Sequence, residues 1–573
     1  MIFLSAQPDH FYFLWQLKLQ INNFISHGIE ANQIHILIGY DKQKGLNPVF
    51  QDWIKELPHA KIFVYPDLRL SKSYASSIRP HIISEHFRTY DKLAEEQIFY
   101  HDSDVLFSRV PNFNRLEIGN IWYASDTRSY LDSDYVISKV GLKGLEQMAK
   151  IVGIRKSDVT KNDHHAGGAQ YLLKNVPVFF WEKLERDCEK MFNYLETLNN
   201  KHGFVQNGDK KIQSWCTDMW CLWWNAILFK KEFHISRELD FVWAFSNRAE
   251  EDAKPIIHYT GNVSELSTGL FRKNNYGNCT PFYDDFSEID MGTSSYSVVE
   301  EIVTYNKNLL QFRKELSDMT FLIPLRIDSE ERLENFYLVV NYLFNNFVCH
   351  VIVLEADISQ KINLSKCPVS MEYHFFEDFN EVFHRTKYNN TLIRLAKTKY
   401  ISLYDTDVII PPNQMFNAYK LLKDFEMVYP YDGSFISLDV FMKAMFSKMP
   451  DYLLFEENLG KHRVATKRSY GGCVFLVKDV YIQAGLENEH FSSWGPEDLE
   501  RRKRMLILGF SITRVSGNLY HLSHPRSKNS GYISEQIKIE LMEEYLRICG
   551  MEYDSLKNYI AQWPWVRNKI EIA

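Results

Sequence analysis

The sequence contains no CxxC pair. Its eight cysteines (Cys188, Cys216, Cys221, Cys279, Cys349, Cys367, Cys473 and Cys549) are scattered over 573 residues. That scatter indicates neither a disulfide framework nor a thiolate zinc site. No run approaches the ~18 uninterrupted apolar residues of a membrane span. The longest candidate, residues 336–354, is broken by Asn341, Asn345, Asn346 and His350. The opening MIFLSA carries no basic n-region or cleavage site. A basic excess is missing too: the net charge is −7. Nucleic-acid binding needs a basic surface to displace counterions, so it is not expected, although a small basic pocket for a diphosphate remains compatible. A soluble, cytoplasmic protein is the expectation. What is present is globular: 45% hydrophobic, 15% aromatic and 24% charged residues, in a chain long enough for about two to four domains.

Short apolar runs alternate with longer amphipathic ones. Residues 2–5, 34–38 and 62–65 read as buried strands, with helices near 14–25 and 74–87 between them. A further strand over 97–100 runs into Asp102-Ser103-Asp104. The same grammar restarts at Thr320: strand 321–325, helix 330–344, strand 351–354, helix 383–396, and strand 400–404 ending in Asp405-Thr406-Asp407. Such alternation predicts an α/β fold with a parallel sheet. In each half a Gly-Gly pair follows, Gly167 lying 65 residues after Asp102 and Gly471 66 residues after Asp405. Each half then closes on a histidine strand, His258 in PIIHYTGN and His521 with His524 in YHLSHPR. Three landmarks in one order predict two copies of one fold. The expected boundaries are 1–286, a polar helical linker 287–319, and 320–573.

Asp-x-Asp at the end of a buried strand places two carboxylates at the carboxyl edge of an α/β sheet, where such folds bind ligands. Hard oxygen donors suit Mg²⁺ or Mn²⁺, which would bridge the two phosphates of a nucleotide. The phospho-aspartate signature DxDx[TV] fails in both halves, because Leu106 and Ile409 stand at its fifth place. In the second half, Arg326 ends the strand IPLR where it can meet a base or phosphate, and Arg385 and Lys387 head the helix before the Asp-x-Asp strand. Gly471-Gly472 allows close backbone approach. In Trp494-Gly495-Pro496-Glu497-Asp498, the acids suit a helix N-terminus. Trp494 also offers a flat face to a sugar, and Asp498 a carboxylate to take a proton.

The runs IPLR, FHRTKYNN, DTD, YGGCVFL, WGPEDLERR and HLSH resemble, in order over about residues 320–526, the β-1,4-galactosyltransferase and bacterial chondroitin-polymerase type of GT-A glycosyltransferase. The resemblance implies two further things: a UDP-sugar donor, and Mn²⁺ or Mg²⁺ held by Asp407 and either His521 or His524. Transfer would be inverting, with Asp498, beside Glu497, deprotonating the acceptor hydroxyl. Pro324, Arg326, Arg385, Lys387 and Asp405 would fall at the donor site, and Gly471, Gly472 and Trp494 at the sugar. Pro496 and Ser493 depart from the galactosyltransferase pattern, so galactose is not implied. No membrane anchor or disulfides of the animal enzymes are seen, which makes a bacterial capsule or surface-glycan enzyme the closer analogy.

YASSIRP, FYHDSDVLF, HHAGGAQYLL, WCTDMWCLWW and PIIHYTGN, spread over residues 1 to about 265, resemble more weakly the hydroxyproline arabinosyltransferase and peptidyl-serine galactosyltransferase group, also GT-A enzymes. By that likeness Asp102, Asp104 and His258 hold the metal, and Arg79 faces the nucleotide. Gly167 and Gly168 face the sugar, and Asp218 lies near the reacting carbon. Most of Trp215, Trp220, Trp223 and Trp224 read as core at helical spacing. The expected whole is a bifunctional glycosyltransferase joining UDP-sugars to a glycan acceptor. The alternative is one active C-terminal domain with an N-terminal glycan-binding or scaffolding one. The tail Gln562-Trp563-Pro564-Trp565 is read as packing on the C-terminal domain or touching a membrane or capsule-synthesis partner.

Overall fold

The computed structural model describes residues 1–55, 59–116, 119–201, 211–261, 268–311 and 313–567. The chain forms two compact units, Met1–Asn306 and Lys307–Ala573.

The first unit contains β1 (Ile2–Pro8), β2 (Ile34–Tyr40), β3 (Lys61–Pro66), β4 (Gln97–Tyr100), β5 (Val105–Phe107), β6 (Trp122–Asp126), β7 (Gly167–Lys174), β8 (Phe233–Ile235), β9 (Phe241–Trp243) and β10 (Ile256–His258). Seven of them form a sheet in the order β3-β2-β1-β4-β7-β6-β8, and the others a small sheet β5-β10-β9. Strands β1 to β4 pair in parallel, with β7 antiparallel between β4 and β6. The centres of β1 and β2 are buried and largely apolar, with Ser5 the polar exception at the middle of β1, as expected for strands covered on both faces. The helices Phe11–Ser26 and Ile78–Thr89 supply crossovers and bury Leu14, Trp15, Ile82 and Ile83.

The second unit contains β11 (Lys314–Leu325), β12 (Phe347–Asp357), β13 (Glu372–Glu377), β14 (Tyr400–Tyr404), β15 (Val408–Ile409), β16 (Met427–Tyr429), β17 (Phe435–Ser437), β18 (Arg463–Thr466), β19 (Cys473–Val477), β20 (Ile512–Arg514) and β21 (Leu519–His521). Its larger sheet runs β13-β12-β11-β14-β19-β16-β20, and the smaller β15-β21-β17-β18. The large sheets of the two units share one plan. Three parallel strands lead to the Asp-x-Asp strand, the Gly-Gly strand lies antiparallel beside it, and two mutually parallel strands complete the edge.

Two boundaries differ from expectation. The helix Ser294–Gln311 lies inside the expected linker, but its start belongs to the first unit. The Ser294 and Ser295 amides donate to the Ser246 and Ala244 carbonyls, and Arg248 pairs with Glu300. Strand β11 begins at Lys314 rather than Phe321, because its first residues are polar and half exposed and so give no apolar run. The tail packs on the second unit: Trp563 and Trp565 are buried, and Trp565 Nε1 donates to the Gly485 carbonyl at 3.2 Å. Those rings are therefore not presented to a membrane. Among the described residues no helix is long and apolar enough to cross one.

Candidate functional site

In the second unit, fully buried β14 delivers Asp405-Thr406-Asp407 to the sheet edge. The Asp405 amide donates to the Gly472 carbonyl at 2.9 Å, and the Leu522 amide to the Asp407 carbonyl at 2.8 Å. The segment is thus clamped between the Gly-Gly strand and the histidine strand. Pairing of Val408 with His521 brings imidazole to carboxylate. Asp407 Oδ2 lies 3.1 Å from His524 Nε2 and 3.6 Å from His521 Nε2. One ligand atom from each of the three residues falls within 4.8 Å of the others, so both histidines join the cluster. Arg332 Nη1 approaches the same Oδ2 at 3.5 Å. Burial alone would raise the Asp407 carboxyl, but the two histidines and Arg332 hold it well below the usual range. Burial would lower His521, and Asp407 more than offsets it.

A second group of charges adjoins this one. Arg385 donates to Asp405, and its Nη1 lies 3.9 Å from Glu497 Oε1. Glu497, in the first turn of the helix Glu497–Ile507, is pushed up to about 8 by burial and by the neighbouring Asp498 charge. Asp498 is held from one side: Arg501 Nη1 donates to its Oδ1 at 2.7 Å. Buried Arg501 is itself fixed by Glu487, through Nε at 2.7 Å and Nη2 at 2.8 Å. The other oxygen, Oδ2, lies 2.6 Å from the point where a Cβ on Gly471 would stand, so only glycine leaves that space. Gly472 has φ +87°, the left-handed region that glycine adopts without strain. Trp494 is 47% exposed, with Tyr532 edge-on to it at 4.9 Å.

Three expected donor-site residues have partners of their own within the fold. Arg326 donates to the Ala356 and Asn380 carbonyls and to Asp378, so its guanidinium is committed within the fold. Lys387 is exposed over the Phe376 ring at 5.8 Å; two positions from Arg385 on one helix, it faces the opposite way. Pro324 is buried within β11, paired with Leu354.

In the first unit, β5 pairs antiparallel with β10, setting Val105 opposite His258. His258 Nε2 lies 3.3 Å from Asp104 Oδ1 and 3.7 Å from Asp102 Oδ2. Asp102, Asp104 and His258 form the second cluster with ligand atoms within 4.8 Å. Arg79 Nη1 donates to Asp102 Oδ1 at 2.6 Å and lies 3.6 Å from Asp218 Oδ2. The Tyr74 hydroxyl donates to Asp218 Oδ1 at 2.9 Å. Burial raises the Asp218 carboxyl, and Arg79 offsets part of the rise. Part-buried Lys273 donates to Asp104, which lies far below its ordinary value despite burial, owing to Lys273 and His258.

Gly167 and Gly168 have a structural explanation. A Cβ on Gly167 would stand 2.9 Å from that of Ala124, and one on Gly168 2.8 Å from Met219 Cε. Their smallness serves packing between strands and helix. Trp220, Trp223 and Trp224 are core, whereas Trp215 is 55% exposed.

Sequence reasoning missed Arg332, Lys273 and Arg501. Arg332 carried a usable signal, a cation in the first turn of the helix Glu330–Asn346, where the macrodipole favours acids. Lys273 carried none. In both clusters, carboxylate oxygen and imidazole nitrogen from paired strands make a donor set that suits a hard divalent cation such as Mn²⁺ or Mg²⁺.

No protein-family model matches this chain, and no curated protein matches it. Partial likeness is found to solved structures. The catalytic domain of Drosophila β1,4-galactosyltransferase 7 in complex with xylobiose is 15% identical, over 42% of this chain and 83% of that one, with a TM-score of 0.27. GalNAc-T7 with UDP, GalNAc and Mn²⁺ is 12% identical, over 42% of this chain and 49% of that one, with a TM-score of 0.28. A mutant of the Drosophila enzyme with manganese, UDP-Gal and xylobiose is 15% identical, over 40% and 79%, with a TM-score of 0.25. Scores this low carry no weight for this chain, whose reading rests on its own geometry.

Proposed function

We propose that the chain is a metal-dependent glycosyltransferase with two GT-A-type units in tandem, each transferring a sugar from a UDP-sugar donor to a glycan acceptor. One observation carries the reading: the same constellation recurs in both units. An Asp-x-Asp segment ends the fourth strand, a histidine pairs across from it, and an arginine from the preceding helix lies on its first carboxylate. Asp407, His521 and His524 would hold the cation in the second unit, and Asp102, Asp104 and His258 in the first. The bound ion supplies positive charge to the leaving diphosphate.

In the second unit the residues fit inverting transfer. Asp498, fixed by Arg501 and left open over Gly471, takes the proton of the acceptor hydroxyl. The acceptor oxygen bonds to the anomeric carbon as the bond from that carbon to the diphosphate breaks. Arg385 neutralises charge beside Asp405, and Glu497, protonated near neutrality, adds no second negative charge next to the base. In the first unit Asp218 lies closest to the Asp102 cluster, with Arg79 between them. The setting we infer is cytoplasmic synthesis of a capsule or other surface polysaccharide.

A second reading has one supporting observation. In the first cluster alone a lysine, Lys273, donates directly to the second carboxylate, Asp104, which suits a unit that binds glycan without turnover. UDP release from a panel of UDP-sugars with Mn²⁺, in wild type and in Asp104→Ala and Asp407→Ala, separates the two. Two donors, each lost in a different variant, establish a bifunctional enzyme. Loss only with Asp407→Ala leaves the first unit as a binding module. No UDP release from any donor overturns the proposal.

A further inference from the structure

Strand β18 is an edge strand that pairs only with β17, and all four of its residues are exposed. It lies in the longer stretch 458–478, which contains no Asp or Glu in a chain of net charge −7. Lys461, Arg463, Lys467 and Arg468 are exposed there. None of the four is ion-paired with a carboxylate among the described residues, and Lys461 Nζ meets only the Asn458 side-chain oxygen. Two exposed acids lie near, but their carboxylates are turned to backbone: Asp432 accepts from the Ser434 amide and Asp439 from the Met442 amide, each at 2.7 Å.

The cations adjoin exposed apolar side chains. Arg463 pairs with Ser437, the last residue of β17. Asp439 then caps the helix Val440–Lys448, whose first two residues, Val440 and Phe441, are 74% and 70% exposed. Val464, on β18 itself, is 47% exposed. Unpaired cations around large apolar side chains at one edge match the two terms of interfacial binding, attraction to anionic headgroups and shallow burial of apolar area. A soluble polyanion would reward the cations but not Val440 and Phe441.

We propose that the β18 edge, with the start of the helix Val440–Lys448, docks the protein on an anionic lipid surface. Gly471 stands three positions after Arg468, a reach of roughly 10 Å. Docking there sets the Asp498 side of the second unit next to the bilayer, where a lipid-borne acceptor would be met.

The test is co-sedimentation of the full chain with phosphatidylcholine vesicles with and without phosphatidylglycerol. It needs no donor and stands or falls apart from transferase activity. The expected result is pelleting only with the anionic vesicles, weakened by salt. Removing each cation in the series Lys461→Gln, Arg463→Gln, Lys467→Gln and Arg468→Gln should weaken it by about fivefold. Phe441→Ser should weaken it with all charges kept, and thermal melting should be unchanged because these side chains are exposed. No pelleting of wild type overturns the proposal, as does undiminished pelleting of the fourfold variant. Binding of soluble dextran sulfate without vesicle binding would assign the strand to an anionic glycan instead.

Discussion

Gly471 and Asp498 form a close contact in the second unit that leaves no room for a side chain. The backbone at Gly471 is not in the left-handed region, so alanine is tolerated conformationally, yet its Cβ would stand 2.6 Å from Asp498 Oδ2. The carboxylate must move, and misplacing a reacting group by about 1 Å can cost about 10²-fold. Gly471→Ala is therefore expected to lower transfer by about that factor with little change in melting temperature. Asp498→Asn, which removes the base, should lose 10²-fold or more while UDP and Mn²⁺ still bind. Unchanged kinetics for both variants would remove Asp498 from the reaction. The glycine pair of the first unit carries no such prediction, since its neighbours are Ala124 and Met219 rather than an acid. Two Gly-Gly pairs at matching distances from Asp-x-Asp thus do different work, and spacing alone cannot tell them apart.

The helix Glu497–Ile507 shows where apolar periodicity fails as a guide. Its run EDLERRKR reads as a solvated charged face, yet Glu497, Glu500, Arg501 and Arg504 are buried at helical spacing while Leu499 and Leu506 are exposed. The inward stripe is built from ion pairs, Arg501 with Glu487 and Arg504 with Glu500, so hydrophobicity points to the wrong face. The Asp-x-Asp strands were legible because each is a short, mainly apolar run that leads into two acids. Lys273, which closes on Asp104, comes from a distant segment, and residue order holds no trace of that approach. Buried polar packing also gives an acid-sensitive element in the first unit. His35 of β2 and His86 of the helix Ile78–Thr89 lie 3.1 Å apart, ring nitrogen to ring nitrogen. Burial depresses them to about 4 and about 3. Both therefore stay neutral in the folded state after the unfolded chain has begun to bind protons near 6.5. Their stabilisation is present above that value and is lost as pH falls towards the folded values, at up to about 1.4 kcal/mol per pH unit for each. Melting should fall between about pH 7 and about pH 5 in wild type, and less steeply in His86→Gln. Equal slopes would place the acid sensitivity elsewhere.

At the scale of the whole molecule, one chain carries two compact units, each with a carboxylate–imidazole cluster that could hold a divalent cation, so ligand linkage can be read separately for each. A ligand that binds only the folded form at 100 times its dissociation constant adds about 2.7 kcal/mol, which for a unit of this size is a rise of roughly 5–10 °C in melting temperature. UDP with Mn²⁺ is expected to raise the melting of the second unit in wild type, and Asp407→Ala should abolish that rise while any shift in the first unit persists. Asp104→Ala should do the converse. The two clusters need not respond alike. In the first, Lys273 donates directly to Asp104, so an incoming cation must displace a hydrogen-bonded, part-buried ammonium. In the second, Arg332 Nη1 stands 3.5 Å from Asp407 Oδ2, farther off than His524 Nε2 at 3.1 Å. The second unit is therefore expected to show its thermal shift at lower Mn²⁺ than the first, and Lys273→Ala should bring the first unit's requirement down. A first unit that needs no more Mn²⁺ than the second, and is unmoved by Lys273→Ala, would mean that Lys273 does not compete for the cation position.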